Sequence, residues 1–234
     1  MQLSYFPDIL NGNIILSEQE SKHLIRVLRK TEGDKFHVVD GNGGLYLVEI
    51  IVASPKKCEI QILSKQLNYG KRNNRIHIAI APTKNLDRFE WFLEKVTEIG
   101  IDEITPLLCD HSERKVIKPE RLEKIIISAM KQSNQAYLPK LNEIKKLNNF
   151  VEEQHNNSSL KLIAHCEDGD RSLIKNYSDL SDVTILIGPE GDFSNSEIKL
   201  ATANKFKPIS LGNTRLRTET AGILACHSIQ LLNN

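Results

Sequence analysis

The chain has 234 residues, enough for one large domain or two small ones, and its 40% hydrophobic and 26% charged content is ordinary for a globular protein. A net charge of +1 excludes a strongly basic domain: residues 1–75 hold 11 Lys and Arg against 8 Asp and Glu, and the rest of the chain 20 against 22. Nucleic-acid binding, if present, must then come from local patches. No apolar run approaches the ~20 residues of a membrane helix. The opening MQLSYFPDIL also lacks the basic and apolar regions of a signal peptide, so no membrane contact and a cytoplasmic location are expected. Cys58, Cys109, Cys166 and Cys226 lack CxxC spacing and are expected as reduced thiols, and no His/Cys/Asp cluster has metal-ligand spacing.

In chain order, Ser17 and Glu20 form an S-x-x-E helix start, followed by Leu24, Val27 and Leu28 at helical spacing. Lys22, Arg26, Arg29 and Lys30 fall at i, i+4, i+7 and i+8, which predicts four cations along one exposed face. Three strands are predicted at 35–40, 45–52 and 58–63, with Gly41-Asn42-Gly43-Gly44 as a hairpin turn between the first two. The polar stretch 68–74, with Lys71 and Arg72, reads as a linker closing a small β domain over residues 1–70.

From residue 71 to 234 the rhythm changes. Strands at 76–81, 103–108, 161–165, 183–187 and 208–211 alternate with helices at 86–99, 119–136, 195–204 and 218–231. That alternation predicts an α/β fold with a parallel sheet covered on both faces. The Asn- and Glu-rich stretch 147–159 reads as a helix end followed by a loop, and the last helix is apolar nearly all round.

Two glycine-bearing loops near the C-terminus carry the chemistry. VTILIGPEGDFSNSE runs from Val183 to Glu197 and PISLGNTRLRTETA from Pro208 to Ala221; each closes an apolar strand and opens a helix. Ligands of parallel sheets settle at the carboxyl ends of strands, so two such loops can wall one site. Neither has GxxxxGK[ST] or GxGxxG, which argues against a P-loop and an ordinary nucleotide-binding sheet. Ser194 and Glu197 form a second capping box. The triplet His111-Ser112-Glu113 is read as loop polarity, since no GxSxG supports a hydrolase.

GPEGDFS and LGNTRLRTETA, with HLIRVLRKTEGD from His23 and APTKNLDRFEWFLEKVTEIG from Ala81, resemble the SPOUT methyltransferases. The resemblance is greatest to the bacterial family that methylates N3 of a uridine in 16S ribosomal RNA, and it runs from about residue 20 to about residue 225. It implies a SPOUT domain with a trefoil knot at its C-terminus, a PUA-like β-barrel at its N-terminus, a homodimer, and S-adenosylmethionine as cofactor. The implied partner is 16S ribosomal RNA or the small ribosomal subunit. The implied cofactor contacts are Ile187, Gly188, Pro189, Glu190 and Gly191 in the first loop and Leu211, Gly212, Leu216 and Arg217 in the second. Arg217 is expected to stabilise charge on the uracil, Glu219 to orient Arg217 or take a proton, and Glu190 to line the site. Lys22, Arg26, Arg29, Lys30, Lys71 and Arg72 are expected to meet RNA phosphates.

Three features depart from the family pattern. Asp192 stands in place of a second glycine, Arg215 in place of an aliphatic residue, and Lys131 and Gln135 in place of a Glu and an Arg. The alternatives left open are another SPOUT activity and a non-catalytic RNA-binding or ribosome-assembly factor of the same fold.

Overall fold

The computed structural model describes residues 3–9, 14–167, 171–177 and 182–233, and divides the chain into two compact units. The first comprises Met1–Lys71 together with Ile127–Leu138, the second Arg72–Ile126 and Pro139–Asn234.

In the first unit the elements are β1 (Leu3–Tyr5), β2 (Ile14–Ile15), α1 (Glu18–Lys22, continued by a π turn over His23–Val27), β3 (Lys35–Val39), β4 (Leu45–Val52) and β5 (Glu59–Gln66). They form one five-stranded sheet in the order β1-β3-β4-β5-β2. The β3–β4 hairpin turns at the glycine-rich segment, where the Asp40 carboxylate accepts the N–H groups of Asn42 (2.7 Å) and Gly44 (2.9 Å) and the Tyr46 hydroxyl (3.1 Å). One face of the sheet closes over Val38, Tyr46, Val48, Ile50 and Ile60 with Leu16 and Leu24.

Ser17 caps α1 as predicted, its Oγ accepting Glu20 N–H, but Glu20 does not complete the box. Its carboxylate instead pairs with Lys131 Nζ at 3.3 Å, so Lys131 has a partner of its own. The predicted four-cation face is not a regular one. The helix widens into a π turn, and Arg29 takes a left-handed φ of 53°, so the 3.6-residue spacing fails after Lys22.

The second unit contains β6 (Arg75–Ile80), α2 (Leu86–Ile99), β7 (Glu103–Leu108), α3 (Pro119–Gln132), β8 (Lys140–Leu141), β9 (Lys145–Lys146), α4 (Leu147–Glu153), β10 (Leu160–Ala164), β11 (Ser172–Leu173), β12 (Asp182–Ile187), α5 (Asn195–Ala203), β13 (Lys207–Ser210) and α6 (Thr218–Asn233). The end of α3, from Ile127, belongs to the first unit. The sheet order is β11-β13-β10-β12-β6-β7-β8, with β9 also on β7, and every pairing is parallel. Residues 147–159 are not a helix end, as expected, but open with α4, whose Leu147, Phe150 and Val151 are buried at i, i+3 and i+4.

Strand alternation divides the core. Ala79, Ile163 and Leu186 face α4 and α5 with Phe150, Ala201 and Phe206. Ile80 faces the other way, toward α6. There α6 packs on α2, and Gln230 Nε2 donates to Gly100 O at 2.6 Å. Gly222 is required in this contact, because a Cβ there would lie 2.5 Å from the Phe92 ring and 3.0 Å from Ile80. Gly222→Ala is therefore expected to destabilise the protein, although Ala is the better helix former by about 1 kcal/mol, because overpacking costs about 1–3 kcal/mol. A higher melting temperature in thermal denaturation would contradict this packing.

Candidate cofactor and substrate site

β12 lies between β10 and β6, and the ladders end together: Ile187 pairs with Ala164 on one side and Ile80 on the other. Strands made almost entirely of buried apolar residues, such as VTILI, must be hydrogen-bonded on both edges, which fixes their register. Their following loops therefore leave the sheet at one level. β12 also sits where the strand order reverses, the place where open α/β sheets bind ligands.

A cavity of about 330 Å³ occupies this position. Ala164 and Cys166 line it at and just after the end of β10, Ile187 from the end of β12, Gly188, Pro189, Glu190 and Asp192 from the β12–α5 loop, Arg215, Leu216 and Arg217 from the β13–α6 loop, and Thr218 and Ala221 from the start of α6. The volume falls at the small end of the range for small-molecule sites. Ile187, Leu216, Ala164 and Ala221 supply apolar wall, while the loop backbone and two Arg and two acidic side chains supply polar groups.

Six of the nine cofactor residues expected from sequence line the cavity: Ile187, Gly188, Pro189, Glu190, Leu216 and Arg217. Gly191, Leu211 and Gly212 are not among its lining residues. Gly191 packs under His111, whose Cβ would lie 3.1 Å from an added Cβ. Gly212 has a φ of 146°, a conformation few L residues adopt, and nothing crowds it. Gly188 is different, since a Cβ there would meet the Phe193 ring and the Phe193 nitrogen at 3.1–3.2 Å.

The loops are braced by the segment after β7. His111 Nδ1 lies 3.0 Å from the carbonyls of both Gly191 and Asp192, and these contacts, Asp192's first, raise the imidazole pKa above its ordinary value. The buried Glu197 carboxylate accepts Asp110 N–H (2.9 Å) and Ser194 N–H (2.8 Å), while Ser194 Oγ accepts Glu197 N–H, completing the predicted capping box. Arg114 donates to the carbonyls of Thr83 and Lys84, and Lys84 Nζ pairs with Glu113 at 2.8 Å. Ser112 Oγ accepts Cys109 N–H, so His111, Ser112 and Glu113 all serve loop structure.

The acidic residues singled out by sequence are placed differently from expectation. Glu190 lines the cavity, yet its Oε1 accepts Lys84 N–H at 2.9 Å, tying the first loop to the β6–α2 loop. Glu219 is 5% exposed and its Oε1 lies 3.9 Å from Arg88 Nε. Among the described residues no ion pair joins Glu219 to Arg217, because the first helical turn points Glu219 inward and leaves Arg217 exposed at the cavity. Glu219 Oε2 is buried without a hydrogen-bond partner.

Of the residues expected at RNA, Arg26 and Arg29 are exposed, Lys30 is half-buried, and Lys22 pairs with Glu18 at 2.6 Å. Lys71 is the last residue of the first stretch of unit one. Arg72 belongs to the second unit, where its half-buried guanidinium pairs with Asp102 at 2.6 Å and donates to Ile101 O. Sequence reasoning missed Ala164, Cys166, Thr218 and Ala221 as cavity residues. The rule that ligands sit at strand carboxyl ends pointed to the first two, since β10 had been recognised.

Parallel strands ending together at a cavity walled by two loops define an α/β protein with a small-molecule site at the carboxyl edge of its sheet. Residues 71–230 match the RNA methyltransferase domain family and residues 16–63 the RNA methyltransferase PUA domain. The chain belongs to this RNA methyltransferase family. It is 30% identical to the Ribosomal RNA small subunit methyltransferase E of Rickettsia conorii, over 96% of this chain and 92% of the relative. The crystal structure of a probable rRNA-methyltransferase from Porphyromonas gingivalis superposes with a TM-score of 0.93 at 42% identity, covering 100% and 98% of the two chains. The Ribosomal RNA small subunit methyltransferase E of Neisseria gonorrhoeae, solved bound to S-adenosyl methionine, gives 0.87 at 25% identity, covering 99% and 98%.

Glu197→Ala should lower stability by about 2 kcal/mol, because it removes a cap and leaves two N–H groups without their acceptor. Urea denaturation measures this, and an unchanged midpoint would show that the bracing is dispensable.

Proposed function

We propose that this protein transfers the methyl group of S-adenosylmethionine to N3 of a uridine in 16S ribosomal RNA. The observation that carries the reading is the cavity at the ends of β10 and β12, walled by the backbone of Ile187–Glu190 and by Arg215–Thr218. The named activity of the Rickettsia relative and the cofactor in the Neisseria structure support it. The cavity residues fit the cofactor: flat apolar wall from Ile187 and Leu216 suits an adenine, and loop backbone is available for its polar edge.

Bound there, S-adenosylmethionine supplies an electrophilic methyl carbon on a sulfonium whose leaving group is a neutral thioether. The chain's own residues have two tasks. The loop backbone holds the reactants in line, which converts a bimolecular encounter into a positioned one. Arg217, whose guanidinium is exposed at the cavity wall with no hydrogen-bond or ion-pair partner among the described residues, faces the uracil oxygens and stabilises negative charge as N3 loses its proton. Glu190 and Glu219 serve this reading as scaffold: one carboxylate anchors the β6–α2 loop and the other faces Arg88.

The finer architecture belongs to the same proposal. The parallel sheet with β12 between β10 and β6, and α6 packed back on α2, supports a C-terminal knot. The five-stranded sheet supports a PUA-like barrel. Leu224 and Leu231 on α6 are 37% and 63% exposed, an apolar stripe that supports a homodimer through this helix. Residues 1–70 and 71–234 are proposed as the RNA-docking and catalytic domains, with Arg26 and Arg29 as the leading phosphate contacts.

The direct test incubates the protein with S-adenosylmethionine and either 16S RNA or small ribosomal subunits, followed by nucleoside analysis. 3-Methyluridine is expected; RNA binding without methylated product would instead identify a non-catalytic assembly factor. Calorimetry should show saturable cofactor binding that Gly188→Val abolishes by crowding Phe193. Arg217→Ala should lower kcat by about 10²–10³-fold, the cost of removing one charge-stabilising donor, with a smaller effect on cofactor affinity. Combined charge reversal at Arg26 and Arg29 should weaken RNA binding and reduce its logarithmic salt slope by about 2. An unchanged slope would remove this face from the RNA interface.

A further inference from the structure

We propose that Asp192 is a positioning residue that sets the separation of two walls of the cofactor cavity; the inference rests on that cavity being the S-adenosylmethionine site. The ladder between β10 and β12 ends at the pair Ala164 and Ile187. Beyond it the two segments part to become opposite cavity walls, Cys166 on one and Gly188–Asp192 on the other. Asp192 rejoins segments 165–167 and 188–193: its Oδ2 carboxylate oxygen accepts Cys166 N–H at 2.7 Å, and the carboxylate also engages the Cys166 thiol.

The local backbone is built to deliver that oxygen. Asp192 has a φ of 60°, left-handed and uncommon for a residue with a Cβ. Its other oxygen, Oδ1, accepts Phe193 N–H at 2.8 Å, its N–H donates to Pro189 O at 2.9 Å, and its carbonyl faces His111 Nδ1 at 3.0 Å. The turn is thus held from three directions while the carboxylate spans the gap. A glycine here would take the same φ without strain but would leave Cys166 N–H without this acceptor. A charged acceptor makes the stronger bond, and a wall fixed before the ligand arrives need not be ordered on binding. Asp192 therefore substitutes a side-chain tether for the backbone freedom of glycine.

The test is calorimetry of S-adenosylmethionine binding to the full chain, its Asp192→Gly variant and its Asp192→Asn variant. Melting temperature, amide exchange at Cys166, and kcat with KM for cofactor and RNA are measured alongside. Asp192→Gly should bind the cofactor about tenfold more weakly, the scale of one lost charge-assisted hydrogen bond. The loss should appear in KM for the cofactor, with KM for RNA little changed and faster exchange at Cys166. Asp192→Asn, which tolerates the left-handed turn and keeps one acceptor oxygen, should recover part of the affinity. If Asp192→Gly fails to fold, Asp192→Asn decides alone, and affinity equal to the parent overturns the proposal. Equal affinity in both variants overturns the tether while leaving the cofactor site intact. Absence of cofactor binding to the parent chain overturns the site assignment and the tether together.

Discussion

The structure depends on the two-sided pairing of β12. A strand reading DVTILI with five consecutive buried residues has no edge that can face water, so β10 and β6 must satisfy its backbone. Parallel pairing brings all three carboxyl ends to one level, and the loops that follow share one opening. The opening lies on the α6 side, because Ile80 meets Gly222 there while Ala79, Leu186 and Ile163 pack under α4 and α5. Strand alternation alone thus decides which helix N-terminus closes the cavity.

Register places the loops but does not hold their shape, and loops rich in glycine lose much entropy when ordered. Here the ordering comes from polar side chains anchored elsewhere. Glu197 and His111 hold the β12–α5 loop to the segment after β7, and Glu190 and Arg114 hold the β6–α2 loop from two sides. Glu197 is buried, so its bonds act at low local dielectric and leaving them unmade is costly. A merely surface-exposed network of the same length would be worth far less.

Much of this was legible in the sequence. α2 and the strands at 45–52 and 103–108 have the predicted bounds, and the Ser194–Glu197 box forms in full. Those signals are local: a capping residue, a run of alternating or continuous apolar residues, a glycine after the last turn. The misses are cases where a distant group competes with the local one. Glu20 abandons its capping role for Lys131, and Glu219 turns to Arg88 instead of Arg217. Polar side chains near a chain break or helix end have several partners of similar worth, and only the fold decides among them. In 147–159 the helical segment and the loop after it were read, but not that the helix starts there, because its asparagines dilute a pattern that Leu147, Phe150 and Val151 nonetheless carry.

Arg217, just before α6, and Glu219, in its first turn, part to opposite sides of the helix entry. They lie two residues apart, so they cannot share a face. The face that meets the sheet and α2 buries Glu219, where a charged carboxylate needs a cation nearby, and Arg88 lies 3.9 Å away. The opposite side puts the Arg217 guanidinium at the cavity, solvated and without a protein partner among the described residues. A guanidinium already tied to a carboxylate would have that charge neutralised before any substrate arrived. Under the role proposed for Arg217, keeping the acid on the inner face would leave the guanidinium's charge for the substrate, which a Glu219–Arg217 contact would have neutralised.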